Sequence, residues 1–211
     1  MSERRLLVAA LAVVTILAAS AAAQDEKNEL VGMIGRIFIS DQGIQNPPIP
    51  DAVIRSGAGL TFEAAYARHL WVTPIYAISG ELPVAFNLDE KLNAPQGTVP
   101  INYKQYFITP AARVNLFPTT AFSPWVSFGA GFGYFTQNAN TVYGGGPNPG
   151  KSGATSVIQG GAGLDVKVKG RFSIRGEVRD FWSGEPDFPN APTGHSRQHN
   201  YFVGGGVVYR F

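Results

Sequence analysis

The chain contains no cysteine, so no disulfide staples it and no thiolate can act as nucleophile, metal ligand or lipidation site. It is also short of charge. Asp, Glu, Lys and Arg make up 15% of its 211 residues, against roughly a quarter in ordinary soluble domains. The formal net charge of +2 gives nucleic acid or a strongly acidic partner little to recognise. After the first 23 residues there is no long apolar run, which excludes a bundle of membrane-spanning helices. Glycine, at 25 residues, and aromatic side chains, at 12%, are abundant instead. In an exported chain this composition points to the other spanning structure that pairs all its backbone polar groups, the closed β-barrel.

Export is read from the opening MSERRLLVAALAVVTILAASAAAQ, with Arg4 and Arg5, an apolar run from Leu6 to Ala19, and Ala21 and Ala23 around Ala22 before Gln24. A basic start, an apolar stretch and an A-x-A site before a polar segment predict a cleavable signal peptide over residues 1–23. The run is shorter than the ~20 residues a permanent anchor needs. Residues 24–211 then form one mature domain, and removing Glu3, Arg4 and Arg5 leaves a formal charge of +1.

A barrel strand is about ten residues that alternate lipid-facing apolar side chains with lumen-facing polar or small ones. GLTFEAAYAR places Leu60, Phe62, Ala64 and Tyr66 on one face and Thr61, Glu63, Ala65 and Ala67 on the other. RFSIRGEVRDF places Phe172, Ile174, Gly176 and Val178 outward and Ser173, Arg175, Glu177 and Arg179 inward. Six more segments read as strands: VGMIGRIFIS from Val31, WVTPIYAISGEL from Trp71, QYFITPAARVNLF from Gln105, WVSFGAGFGYFT from Trp125, TSVIQGGAGLDVKV from Thr155, and a closing strand from about Asn200. The expected fold is all-β, an eight-stranded antiparallel up-and-down transmembrane β-barrel. The connectors alternate strictly between long and short, four against three, with the first short one around Arg68 and His69. This sorting places both ends of the barrel in the periplasm, where such barrels keep their short turns. Pro74 is expected near the periplasmic rim and Pro110 at a bulge or break, since proline removes a ladder donor.

These residues resemble the small eight-stranded outer-membrane barrel superfamily, which includes the transmembrane domain of outer-membrane protein A and its X and W relatives. The resemblance spans residues 24–211 and is carried by alternating strands, glycine-rich GAGFGY and GGAGLDV, and the end GGGVVYRF. It implies a bacterial outer-membrane location, lipid and lipopolysaccharide as surroundings, and the barrel-assembly machinery as a partner during biogenesis. Phe211, Tyr209, Val207 and Val203 match the family's terminal assembly signal, while Gly205 departs from it. Phe211 is expected in the lower aromatic girdle. The peptidoglycan-binding domain of outer-membrane protein A has no counterpart here, so a wall-tethering role is not carried over.

Carrying the strand phases through, the lumenal charged set is Arg36, Glu63, Glu81, Arg113, Asp165, Lys167, Arg175, Glu177, Arg179 and Arg210. Eight strands leave an interior just wide enough to be filled by side chains, so these charges are expected to pair across a plugged lumen. The expected role is structural or surface-binding and not enzymatic, with no cofactor or metal. The alternative is a narrow channel for ions or small hydrophobic solutes. A lipid A-modifying enzyme is a third reading, its parts being His195, Ser196 and His199 with Glu185 and Asp187, but neighbouring residues on a Gly/Pro-rich loop point apart, where a nucleophile and base must meet. His69 carries no signal. The Gly145–Ser152 match to a phosphate-loop spacing lacks its strand–loop–helix frame and is read as chance. The long Pro-, Gly- and Asn-rich loops are suited to an extracellular ligand.

Overall fold

The computed structural model describes residues 27–43, 53–56, 58–93, 102–137, 152–184 and 197–211. Eight long strands wind in chain order: β1 (Asn28–Ile39), β2 (Ala58–Val72), β3 (Tyr76–Asn93), β4 in two parts (Asn102–Ile108 and Ala111–Leu116), β5 (Phe122–Gln137), β6 (Ser152–Lys169), β7 (Phe172–Gly184) and β8 (Asn200–Arg210). Each pairs antiparallel with its sequence neighbours. The last pairs with the first from Glu29↔Arg210 to Ile39↔Asn200, closing the barrel. Beyond this seam, Asn28 and Phe211 exchange backbone hydrogen bonds of 3.0 and 2.9 Å. Short strands at Gln42–Gly43, Val53–Ser56 and Arg197–Gln198 extend the wall at the other end.

Thr73–Ile75, Phe117–Ala121 and Gly170–Arg171 form the three short turns, all at the end where β1 starts and β8 finishes. In this architecture that end is periplasmic. Gly170, at φ 54°, occupies the left-handed region that closes the tightest of them. Pro74 lies within the first turn, where the Thr73 hydroxyl accepts from Tyr76 N at 3.0 Å. That turn corrects the expected start of the third strand: Trp71 and Val72 finish β2 beyond a bulge at Leu70, and β3 begins at Tyr76. β3 also runs on to Asn93, through residues expected in a loop, because Val84, Phe86 and Leu88 keep alternating with buried Ala85 and Asn87. Pro110 breaks β4 in two, as a missing donor requires. The signal peptide falls outside the described residues, as do the middles of the long connectors.

The wall is inverted relative to a soluble protein. Its outward positions expose Ile34, Phe62, Phe128 and Phe132, the last two at 67% and 72%, a contiguous apolar surface that only lipid can cover. Inward positions divide by height. Towards the outer end lies an apolar layer of Met33, Ile37, Ile39, Phe107, Phe135, Val157, Phe181 and Phe202. Phe107 stacks on Phe181 at 4.7 Å and meets Phe135 edge-on at 5.9 Å. Phe202 lies across Gly35 and Gly204, where an added Cβ would come within 2.7 and 2.4 Å of its ring. Towards the periplasmic end the filling is charged.

Truncating Phe202, which is fully buried, should cost about 3–5 kcal/mol in denaturant unfolding from detergent, as large core deletions do. Phe128→Ala on the lipid face should cost clearly less, and comparison of the two midpoints checks which side of the wall each ring occupies.

Candidate functional site

Seven of the eight strands aim charged side chains into the periplasmic half of the lumen, and the alternation of each strand selects which. On β1 the buried set runs Glu29, Val31, Met33, Ile37, Ile39; on β7 it runs Ser173, Arg175, Glu177, Arg179. Glu63 on β2, Glu81 on β3 and Arg113 on β4 are 5% exposed or less, as is Asp165 on β6.

Glu29 is the hub. One oxygen takes Arg113 and lies 3.5 Å from Arg175 Nη2; the other accepts from Arg210 Nε at 2.8 Å and lies 3.0 Å from His69 Nε2. The His69 ring is fixed from its other side by Ser79 Oγ, 2.7 Å from Nδ1. Arg175 grips Asp165 with two parallel bonds of 2.6 and 2.8 Å, and Arg210 Nη2 adds a third donor to Asp165 at 3.0 Å. Arg179 donates to Glu177 at 2.7 Å and to Glu81 at 2.8 Å, and its Nε lies 3.3 Å from Glu63. Arg113 Nη1 is 3.4 Å from Glu81, which joins the two halves of the cluster. The guanidiniums of Arg113, Arg175 and Arg179 surround the Trp125 ring at 5.8, 4.9 and 5.1 Å from its centroid, a cation–π arrangement strengthened by desolvation. Trp125 Nε1 donates to Asp165 at 3.2 Å. Gly163 makes room for the indole, since a Cβ there would lie 2.5 Å from it.

Arg113, Arg175, Arg179 and Arg210 thus face Glu29, Glu63, Glu81, Asp165 and Glu177. Four guanidiniums meet five carboxyls, and His69 stands beside the hub.

Eight of the ten residues expected in the lumen come together in this cluster. Arg36 and Lys167 do not. Arg36 is exposed on the lipid-facing side, because Met33, Ile37 and Ile39 take the inward positions of β1 and leave it in phase with Ile34 and Phe38. Lys167 shares the phase of Asp165 but lies near the periplasmic end of β6, where a bulge at Phe172/Ser173 ends the regular pairing, and it is exposed there. Sequence reasoning missed Glu29, Trp125 and His69. Glu29 precedes the segment read as the first strand, although its spacing of two from Val31 and Met33 carries the signal. Trp125 was read only as the start of a strand, with no lumenal role.

The proposed assembly-signal positions lie along the closing strand. Val203 and Val207 are exposed at 46% and 51%, and Tyr209 meets Phe172 at 5.1 Å with the rings tilted by 41°. Phe211 differs from an exposed girdle residue: its ring stacks on Tyr209 at 5.7 Å and only 8% of the residue is exposed. His199 faces outward, its Nδ1 2.6 Å from Asp180 Oδ2. Glu185, Asp187, His195 and Ser196 lie outside the described residues, as does the Gly145–Lys151 stretch. Among the described residues no group of three or more His, Cys, Asp or Glu side chains is placed to hold a metal.

Residues 9–211 match the family described as outer membrane protein beta-barrel domain. Among solved structures, the chain is similar to OprG of Pseudomonas aeruginosa, with 10% identity, a TM-score of 0.58, and coverage of 89% of this chain and 97% of that one. Neisserial surface protein A gives 11% identity, a TM-score of 0.53, and coverage of 87% and 97%. The N-terminal barrel of Pseudomonas aeruginosa OprF gives 12%, 0.50, and coverage of 89% and 100%. At these identities the likeness is one of fold. A search of curated proteins found no match.

Replacing Glu29 with Gln should lower unfolding stability in detergent by about 3–5 kcal/mol, the usual cost of leaving buried charges without their partner. Lys167→Gln, on the exposed rim, should change it by less than about 0.5 kcal/mol. Equal effects would remove Glu29 from the packed network.

Proposed function

We propose that this chain, which belongs to the outer membrane protein β-barrel family, is a closed barrel that presents its outer loops at the cell surface and conducts nothing steadily through its lumen. The supporting observation is the filling of the periplasmic half: three guanidiniums with no exposed side-chain surface packed around one indole and bonded to acids from four other strands. A solvated ion would have to break several charge-assisted hydrogen bonds, each worth more than a neutral one, to pass. The function then lies outside the lumen, in the loops that leave β1, β3, β5 and β7 at the end opposite the short turns. Their partner is an extracellular ligand, and the role is binding and not catalysis.

A narrow path is the second reading, and Gln105 and Thr109 favour it. Both are fully buried on the lumenal side of the wall, and the Gln105 amide and Thr109 hydroxyl have no hydrogen-bond partner among the described residues, a need that a file of water would meet. Planar-bilayer recording separates the two. The closed reading predicts no steady current for the wild type and intermittent current for Glu81→Ala, which frees Arg113 and Arg179. Steady wild-type conductance would contradict it.

The closing strand is also proposed to carry the signal read by the barrel-assembly machinery, through Val207, Tyr209 and Phe211. Phe211→Ala should slow insertion several-fold into proteoliposomes containing that machinery, followed by heat-modifiable gel mobility. Unchanged kinetics would show that the terminal ring is only a packing element.

A further inference from the structure

Arg36 is a charge on the lipid-facing wall surrounded by apolar side chains. Its neighbours are Ile34 and Phe38 along β1, Val203 across the seam on β8, and Leu60 on β2, all exposed and apolar. No ion pair or hydrogen bond engages its side chain among the described residues. An arginine on this face is costly at the bilayer midplane and tolerated near the interface, so its height matters. Arg36 is eight residues beyond Asn28, an axial rise of roughly 20 Å for a strand tilted by about 40°, within an apolar band about 25 Å tall. Its stem can therefore lie along the wall while the guanidinium reaches the outer headgroups.

Just above it, beginning with Phe38 and Tyr201, the wall becomes an aromatic and basic patch. Trp182, His199 and Tyr201 form a continuous stack, with centroids 6.0 and 5.5 Å apart and planes tilted by 17° and 2°. Tyrosine and tryptophan belong at the level of the headgroups. Arg197 lies 4.6 Å over the Trp182 ring. Its Nη2 donates to the carbonyls of Ser156 at 3.1 Å and Trp182 at 3.2 Å, and its buried Nε has no partner. Those acceptors are neutral, and no carboxylate pairs with Arg197 among the described residues. The nearby carboxylate Asp180 is taken by His199 at 2.6 Å.

We propose that this outer end of the closing seam binds a phosphorylated glycolipid of the outer leaflet, its phosphates held by Arg36 and Arg197 and its sugar backbone laid against the ring stack between them. The charges are complementary, because two guanidiniums that no carboxylate pairs among the described residues, on a face otherwise covered by lipid, need anions at headgroup level. Guanidinium also suits phosphate through paired, parallel hydrogen bonds. Arg36 stands on β1, and the Arg197 guanidinium lies over Trp182 of β7, two strands away and roughly 10 Å across the wall at about 4.8 Å per strand. Trp182 is level with His199, four residues beyond the Arg36 partner Val203, a rise of roughly 13 Å along the strand. The Arg36 stem, extended along the wall, shortens that rise to a span that a disaccharide carrying a phosphate at each end can bridge. The inference rests on the outer-membrane placement and is independent of whether the lumen is closed.

The test titrates diphosphoryl lipid A into the detergent-folded protein and reads the bound fraction by native mass spectrometry, with folding checked by heat-modifiable mobility. Arg36→Gln combined with Arg197→Gln should weaken binding at least tenfold, and each single change by less. Arg68→Gln, an exposed arginine at the periplasmic rim, should leave it unchanged, and Arg36→Lys should retain part of it. Dephosphorylated lipid A should bind the wild type as weakly as the phosphorylated lipid binds the double variant. Equal binding by wild type and double variant, or by the two lipids, would overturn the proposal. Competition by inorganic phosphate at matching concentration would also overturn it, assigning the arginines to a free anion.

Discussion

A carboxylate sealed inside an eight-stranded barrel must be met by cations or lose several kcal/mol to desolvation, and Glu29 is met from four directions. Its partners come from β2, β4, β7 and β8, so one side chain ties together strands on opposite sides of the lumen. The contact to Arg210 spans the closing seam itself, and the one to Arg175 reaches past it to β7. Shifting β8 by one residue against β1 would turn Arg210 into lipid and Tyr209 into the lumen, since each one-residue slip exchanges the faces. The seam is therefore set by chemistry as well as by backbone pairing.

This explains why the two halves of the lumen are filled differently. In the outer half, ring stacking and glycine notches let Phe202 and the Phe107–Phe181 pair fill most of the space. In the periplasmic half, long arginines reach across from one strand to acids on another. Trp125 serves both needs, giving three guanidiniums a flat π face and Asp165 a donor. Such a filling has little redundancy. Glu29, Glu81 and Asp165 each meet more than one cation, so the removal of any of these three leaves several groups unsatisfied. The wall outside follows the complementary rule, with a belt of exposed apolar side chains, and Arg36 and Arg197 are among its exceptions towards the outer end.

Much of the barrel was legible in the sequence. The alternation in residues 59–68 and 171–181 gave the phases of β2 and β7 directly, and with them the inward Glu63, Arg175, Glu177 and Arg179. The alternating loop lengths gave the polarity of the barrel. The errors have physical causes. In MIGRIFIS both faces are apolar, so a preference for hiding charge in the lumen turned Arg36 inward; Glu29, two residues before Val31, would have fixed the opposite phase. Trp71 and Val72 resemble a strand start because a rim residue is as apolar as a wall residue, and only the Thr73–Tyr76 turn separates them. The hub role of Glu29 depends on strands distant in sequence, and no local pattern contains it.

Coupling between Glu29 and Arg113 is the central quantity, because it joins β1 to β4 across the lumen and exists only if the interior is packed as described. A double-mutant cycle with Glu29→Gln and Arg113→Met, measured by reversible unfolding in detergent, isolates it. The account predicts a coupling of about 2–3 kcal/mol, at the upper end for residues in one network. A coupling below about 0.5 kcal/mol, the level of independent sites, would contradict it.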